Sequence, residues 1–474
     1  MNTFSNQLDV SKLLTPLDWT IFTIVLLVTA ASVIFGNRKK KAEAKTNSEE
    51  ENFLDLLIMG RKLTLPLFIG TLVATWYGGI IGVTQIAFNK GIYNFVTQGA
   101  FWYISYIVFA LFIVHKVQAY KAVTLPNLIE KMFGKKSSIL CGFFNFFNVL
   151  PIAYVISLGL FLKVLFGGSL VFNMVMGVGF VVLYSMWGGF RAVVFSDIIQ
   201  FIVMCSAVAI VLILSISQFG GLQFLEANLP GSYFSPTGDE GWATTIVWGF
   251  IAMSTLVDPN FYQRCFAAES PRTAKRGILI STFIWFLFDI CTTFGAMYAK
   301  AVIPEAESSQ AYILYAAQLM PSGLRGFMLA GLLATILSTI DSYLFIAGTT
   351  LSYDLVPKKY KGKVALHHLS IVIVGAIAVV MALVFDGNIK SVWKTLGSYS
   401  AACMLLPVIY GYLFPTKIKD LQFVAASIFG AIAVTYWRNT SHTGFWNNVD
   451  ELYIGILATT LGLLIFPLLP KKQR

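Results

Sequence analysis

Charge is what this chain has least of. Only 12% of its 474 residues are Asp, Glu, Lys or Arg, against roughly 25% in a soluble domain. A chain so poor in charge cannot build a water-facing surface around a core, which excludes a soluble globular protein. Histidine is scarce, with four in all, and the five cysteines form no CxxC pair. Zinc centres need His or Cys at set spacings, and secreted scaffolds need paired cysteines, so neither is expected. No HExxH, phosphate-binding glycine loop or GxSxG elbow occurs, which leaves enzyme chemistry without a motif.

Long apolar sequence takes the place of charge. Hydrophobic residues make up 57%, and mean hydropathy is +0.73. The apolar runs are continuous, many of about 20 residues or more, the length of a bilayer-spanning helix; barrel strands would alternate instead. The chain therefore reads as an all-α polytopic membrane protein, with 13 candidate spans between residues 17 and 469. The first, near residues 17–36, has no basic leader and no small-residue cleavage site, so it is expected to be retained.

Charge placement orients the spans. With the N-terminus outside, 26 of the 34 Lys and Arg fall in inner loops, among them Arg38, Lys39, Lys40, Lys41, Arg191, Arg264, Lys358 and Lys471. The positive-inside rule then supports the span count, with the N-terminus outside and the C-terminus in the cytoplasm of a cell (inner) membrane. It also accounts for the net charge of +11 without a nucleic-acid partner. The lipid bilayer is the expected surrounding, and no obligate protein partner is evident.

Two runs are interrupted. Gly78, Gly79 and Gly82 follow Ala74–Thr75 in one, and Asp258–Pro259 breaks another. These runs head two successive groups of five helices, residues 64–216 and 243–414. Interrupted helices at matching positions of two halves point to a transporter built from inverted repeats, with backbone freed to line a cavity. The remaining parts are residues 1–63 (an N-terminal helix and a charged linker), an outer loop at 217–242, and C-terminal helices at 415–474.

One run, Gly331 to Asp354, carries Thr335, Ser338, Thr339 and Ser342 at i, i+3, i+4 and i+7, one face of a helix, with Asp341 beside them. Hydroxyls in membrane helices often bond only their own backbone; four on one face with an acid point instead to an ion or proton site. Counted at 1.5 Å per residue, Thr75 and Ser338 both reach roughly the midplane. Carbonyls freed near Thr75 and Gly78 with the hydroxyls of Ser338 and Thr339 would make an all-oxygen cage suited to Na⁺. Ca²⁺ would want more carboxylates. Asp197, Asp341 and Ser342 share a depth nearer the cytoplasm, as a second cation site or a relay. Asp197 could equally pair locally, with Arg191 near. Asp289 is a third acid inside a span, without an evident partner.

These segments resemble the sodium:solute symporter family. The likeness lies in GRKL followed by ATWYGG, in GGFRAVVFSDIIQF, in DPNFYQRCFAAES, and in ATILSTIDS with a following SYDL, and it runs from about Asp55 to the eleventh span. The resemblance implies a LeuT-type 5+5 inverted repeat, with one extra N-terminal helix and two C-terminal ones. It implies Na⁺-coupled uptake of a small organic solute by alternating access. Carried over by motif, the main sodium site would use the carbonyls of Thr75, Gly78 and Thr335 and the hydroxyls of Ser338 and Thr339. A second sodium would use Asp197, Ser338, Asp341 and Ser342, so Na⁺ is expected at one site or two. The solute cavity would be lined by Trp76, Tyr77, Gly79, Asn94, Tyr154, Met253 and Ser254. No Arg falls convincingly in that cavity, and sugar, amino acid, carboxylate and vitamin classes stay open. The competing readings are a proton-coupled carrier using the buried Asp residues and a membrane sensor or channel on the same fold.

Overall fold

The computed structural model describes residues 4–5, 9–43, 55–186, 189–415, 417–444, 446 and 449–465, and of residues 37–43 and 358 the backbone alone. Most of the charged linker (44–54), Gly188 of the GGFR motif, and the tail from residue 466 with Lys471 lie outside the described residues.

The described chain is helical, its one strand-like feature being an isolated pairing of Leu63 with Ala268. In order the main helices are α1 (Pro16–Glu43), α2 (Leu65–Trp76), α3 (Ile80–Lys90), α4 (Phe95–Ala119), α5 (Lys135–Phe166), α6 (Leu170–Ser185), α7 (Gly189–Phe219), α8 (Gly241–Met253), α9 (Pro259–Ala267), α10 (Pro271–Val302), α11 (Ala311–Leu319), α12 (Leu324–Asp354), α13 (Val364–Val384), α14 (Ile389–Leu413), α15 (Asp420–Arg438) and α16 (Glu451–Ile465). Among the described residues nine helices are long and apolar enough to span a bilayer, and α2 with α3 makes a tenth, bent by 59°. A count of 13 requires the shorter α6 and α16 and the interrupted pair α8–α9 as well.

Both expected interruptions have local causes. Between α2 and α3 the backbone leaves helical geometry at Tyr77 and Gly79. After α8 a short 3₁₀ turn, Ser254–Val257, leads to Asp258, which turns extended. Pro259 then opens α9, where its missing N–H costs nothing, and the Asp258 carboxylate accepts the N–H groups of Asn260 (2.8 Å) and Phe261 (3.3 Å). The break thus becomes a capped helix start.

Burial separates centre from rim. In α12 the most apolar stretch is 100% buried, whereas in α1 the share is 11%. Helix α12 packs on α7, α1, α2, α5 and α13. The outer helices turn Leu183, Ile213 and Val384 outward, as expected where lipid replaces water and outward apolar side chains carry no penalty.

The entry of α12 is held by an acid on α1. Asp18 Oδ1 accepts the N–H groups of Gly323 (2.7 Å) and Gly326 (3.0 Å), and Oδ2 accepts the N–H and the hydroxyl of Thr15. Helix starts leave N–H groups unpaired, and a buried carboxylate there satisfies them and meets the positive end of the dipole. Gly326 allows the approach, since a Cβ there would lie 2.1 Å from the Asp18 carbonyl oxygen. We expect Asp18→Ala to cost about 1–3 kcal/mol, the penalty of unmet buried donors. Thermal unfolding in detergent should show a Tm lower by several degrees; an unchanged Tm would contradict this role.

Candidate functional site

The site begins where α12 crosses the break between α2 and α3. The Ser338 hydroxyl donates to the Ala74 carbonyl (2.8 Å) and lies 3.1 Å from the Thr335 carbonyl. The Thr339 hydroxyl oxygen accepts the N–H of Gly78 (2.7 Å) and its proton faces the Thr335 carbonyl (3.1 Å). The two side chains thereby bind both sides of the interruption. Glycine at 78 is a steric requirement: a Cβ would fall 2.4 Å from Thr339 Cβ. All of Thr75, Thr335, Ser338 and Thr339 are buried to within 1%. The structure therefore sets Ser338 and Thr339 against Ala74 and Gly78, with the Thr335 carbonyl beside both hydroxyls and no carboxylate in these contacts; the Thr75 hydroxyl bonds Thr71 and Ser342 instead. Hard oxygen donors with no net charge suit a monovalent cation held reversibly.

One turn further along α12 the chemistry changes. Arg264 of α9 is fully buried. The loop-charge pattern puts it among the inner-loop cations; its flanks, NFYQ and CFAA, are uncharged, the one local sign that it belongs inside. Its Nη2 reaches the hydroxyl oxygens of Thr75, Ser342 (2.9 Å) and Thr71 (3.1 Å) and lies 3.8 Å from Asp197 Oδ2. Thr71 donates to the same carboxylate oxygen at 2.5 Å. Arg191 is not the partner of Asp197; it pairs with Asp55 at 2.8 Å.

The proposed second group is only partly assembled. Asp197 and Ser342 meet through Arg264, but Ser338 faces Ala74, and Asp341 accepts the hydroxyl of Ser185 on α6. Asp289, which had no evident partner, accepts the hydroxyl of Tyr103 on α4.

Beside the break lies a cavity of about 110 Å³, walled in part by Trp76, Tyr77, Gly79, Tyr154 and Ser254. Asn94 lies off this wall, donating to Thr293 (3.0 Å), and Met253 is 38% exposed on α8. The sequence did not point to Gln98, Trp102, Asp258, Tyr343 and Trp393, which also line the cavity. Trp393 of α14 comes close because position 79 is glycine; a Cβ there would meet its ring at 2.0 Å. Among the described residues no Lys or Arg lines the cavity.

A bundle with two interrupted helices, an oxygen cluster at one break and a solute-sized cavity beside it is a carrier of the membrane. More particularly, the chain belongs to the sodium:solute symporter family, whose model matches residues 58–418. The high-affinity proline transporter PutP of Bacillus subtilis is 24% identical over 384 residues, covering 74% of this chain and 78% of that protein. The sodium/glucose cotransporter of Vibrio parahaemolyticus is 22% identical over 510 aligned positions, covering 96% of this chain and 86% of its own. A solved Na⁺-coupled sialic acid symporter, in a substrate-bound outward-open state, aligns with a TM-score of 0.77 at 17% identity, over 96% of this chain and 98% of that one. The fold is thus the LeuT-type one, and the chain is a Na⁺-coupled symporter, not an enzyme.

The steric requirement at Gly78 yields a direct check. Gly78→Ala should force α2 and α12 apart at Thr339. The extra thermal stability that Na⁺ gives over K⁺ should then shrink to near zero, whereas an undiminished Na⁺ effect would contradict the assignment of this junction.

Proposed function

We propose that the protein imports a small organic solute across a cell membrane by alternating access, driven by Na⁺ held at the α2–α3 break. The observation that carries this reading is the double attachment of Ser338 and Thr339 to the interrupted backbone at Ala74 and Gly78. Na⁺ taking the carbonyls of Thr75, Gly78 and Thr335 and these two hydroxyls would tie α12 to the break. Its departure would loosen the same contact and so link ion occupancy to the movement of one repeat against the other. An inside-negative potential adds about 2.3 kcal/mol per charge per 100 mV to uptake. The orientation we propose, N-terminus outside and C-terminus cytoplasmic, rests on the loop charges.

The cavity bears on the solute. Aromatic rings of Trp76, Tyr77, Trp102, Tyr154, Tyr343 and Trp393 surround it, and among the described residues Asp258 is the one charged group in its lining. Aromatic faces and a carboxylate favour a solute with an amine or a neutral donor group over a simple anion.

Ser338→Ala and Thr339→Ala each remove one hydroxyl ligand. About 1.4 kcal/mol per lost contact would raise the Na⁺ concentration for half-activation roughly tenfold. The readout is the Na⁺ dependence of uptake or, before a solute is in hand, of the melting temperature. Unchanged Na⁺ activation in both variants would sink the proposed site.

A further inference from the structure

We propose that Thr459 of α16 is a positioning residue for the solute cavity: its hydroxyl holds α14 where that helix's own hydrogen-bond ladder fails, and so fixes Trp393 in the cavity wall. This rests on the solute-cavity reading above and gives the two C-terminal helices a part in transport.

The ladder of α14 fails at Ala402. Over Ala401–Leu405 the helix takes the wider π spacing, in which a carbonyl is met by the N–H five residues on. Five residues past Ala402 stands Pro407, which has no N–H. The Ala402 carbonyl thus loses its helical partner inside the bundle, where no water can take its place. The Thr459 hydroxyl supplies the donor, at 2.7 Å. Thr in a membrane helix often bonds the carbonyl four residues back, and Thr460 (2.7 Å) and Thr435 (2.8 Å) both do so. Of these three, Thr459 turns its hydroxyl to another helix.

The packing around this bond is fitted to it. A Cβ at Gly430 of α15 would fall 2.0 Å from Thr459 Oγ1, and one at Gly455 of α16 would fall 2.7 Å from Ala402 Cβ. Two glycines therefore make room for one hydroxyl and for the backbone it serves. Thr459 and Ala402 are both fully buried. A second tie lies close by on α14. The Tyr399 hydroxyl is 2.7 Å from Thr435 Oγ1 of α15, whose proton is spent on the Ala431 carbonyl, so Tyr399 donates.

The first half of α14, Ile389–Ser400, extends from these ties. It carries Val392, Trp393, Leu396 and Gly397 into the cavity lining. Trp393 closes on the break at Gly79, and Gly397 lies against Ile251 of α8, where a Cβ would meet Cγ2 at 2.5 Å. This half-helix therefore stands between the two interrupted helices. Proline and π turns are where helices change direction, so its line is set at the stretch that Thr459 holds. Thr459 is not in the cavity lining; it acts through the course of α14.

The test is the reactivity of Leu396→Cys, in the cavity wall, toward 2-aminoethyl methanethiosulfonate in the purified full chain, with the modified residue located by mass spectrometry. Adding Thr459→Val should raise the rate roughly tenfold, the shift that one lost buried hydrogen bond produces. Adding Thr459→Ser, which keeps the donor, should leave the rate as it was. Pro407→Ala restores the missing N–H, so combining it with Thr459→Val should bring the rate back down. Native Cys141, buried on α5, should stay unreactive throughout. An unchanged rate with Thr459→Val, no recovery with Pro407→Ala, or reaction at Cys141 would overturn the positioning role and leave Na⁺ symport standing. No reaction at Leu396→Cys in any variant would overturn the cavity reading instead. If Thr459→Val alone does not fold, folding regained with Pro407→Ala supports the proposal, and no such recovery overturns it.

Discussion

Backbone set free inside a bilayer has to be met by something, and that constraint organises this molecule. An unmet buried N–H or carbonyl costs about 1–3 kcal/mol, with no water at hand to replace the partner. The chain interrupts α2 at Tyr77–Gly79 and meets the freed groups with Ser338 and Thr339 from its most deeply buried helix. The second interruption is met locally, by the Asp258 cap on α9. Only the first depends on a contact between the two repeats. That dependence is what makes it suited to coupling, since an ion that joins the same oxygens changes how firmly the repeats hold together.

Charges inside the bundle follow a parallel rule: each described acid there has an assigned neighbour. Asp18 caps α12, Asp341 takes a hydroxyl from Ser185, Asp289 takes one from Tyr103, and Asp197 faces Arg264. Among the described residues the solute cavity is left with a single carboxylate, Asp258, and a wall of rings. Asp341 and Asp289 thus meet neutral hydroxyls, whereas Asp197 faces a cation.

Much of this was legible in the residue order. Apolar run length gave the helical class, and Gly78–Gly79 and Asp258–Pro259 marked the interruptions, because glycine and proline act locally. The hydroxyl stripe on α12 was legible because helical period alone puts its members on one face. What was not legible depended on distant packing. Arg264 looked like a loop charge, since nothing adjacent to it names Thr75, Ser342 or Asp197 as its neighbours. Trp393 could not be put at Gly79, some 300 residues earlier, without the bundle. The resemblance put Asn94 on the cavity wall, but its amide donates to Thr293 of α10, 199 residues later, a contact only the packing reveals.

The account stands or falls on the driving ion. Purified protein in liposomes should be offered a panel of labelled small solutes, amines and neutral polar compounds included, under an imposed inward gradient of either Na⁺ or protons. The account predicts that a solute accumulates above its outside concentration under the Na⁺ gradient at equal pH, and that accumulation collapses when Na⁺ is equalised. Accumulation under the proton gradient alone, indifferent to Na⁺, would contradict it.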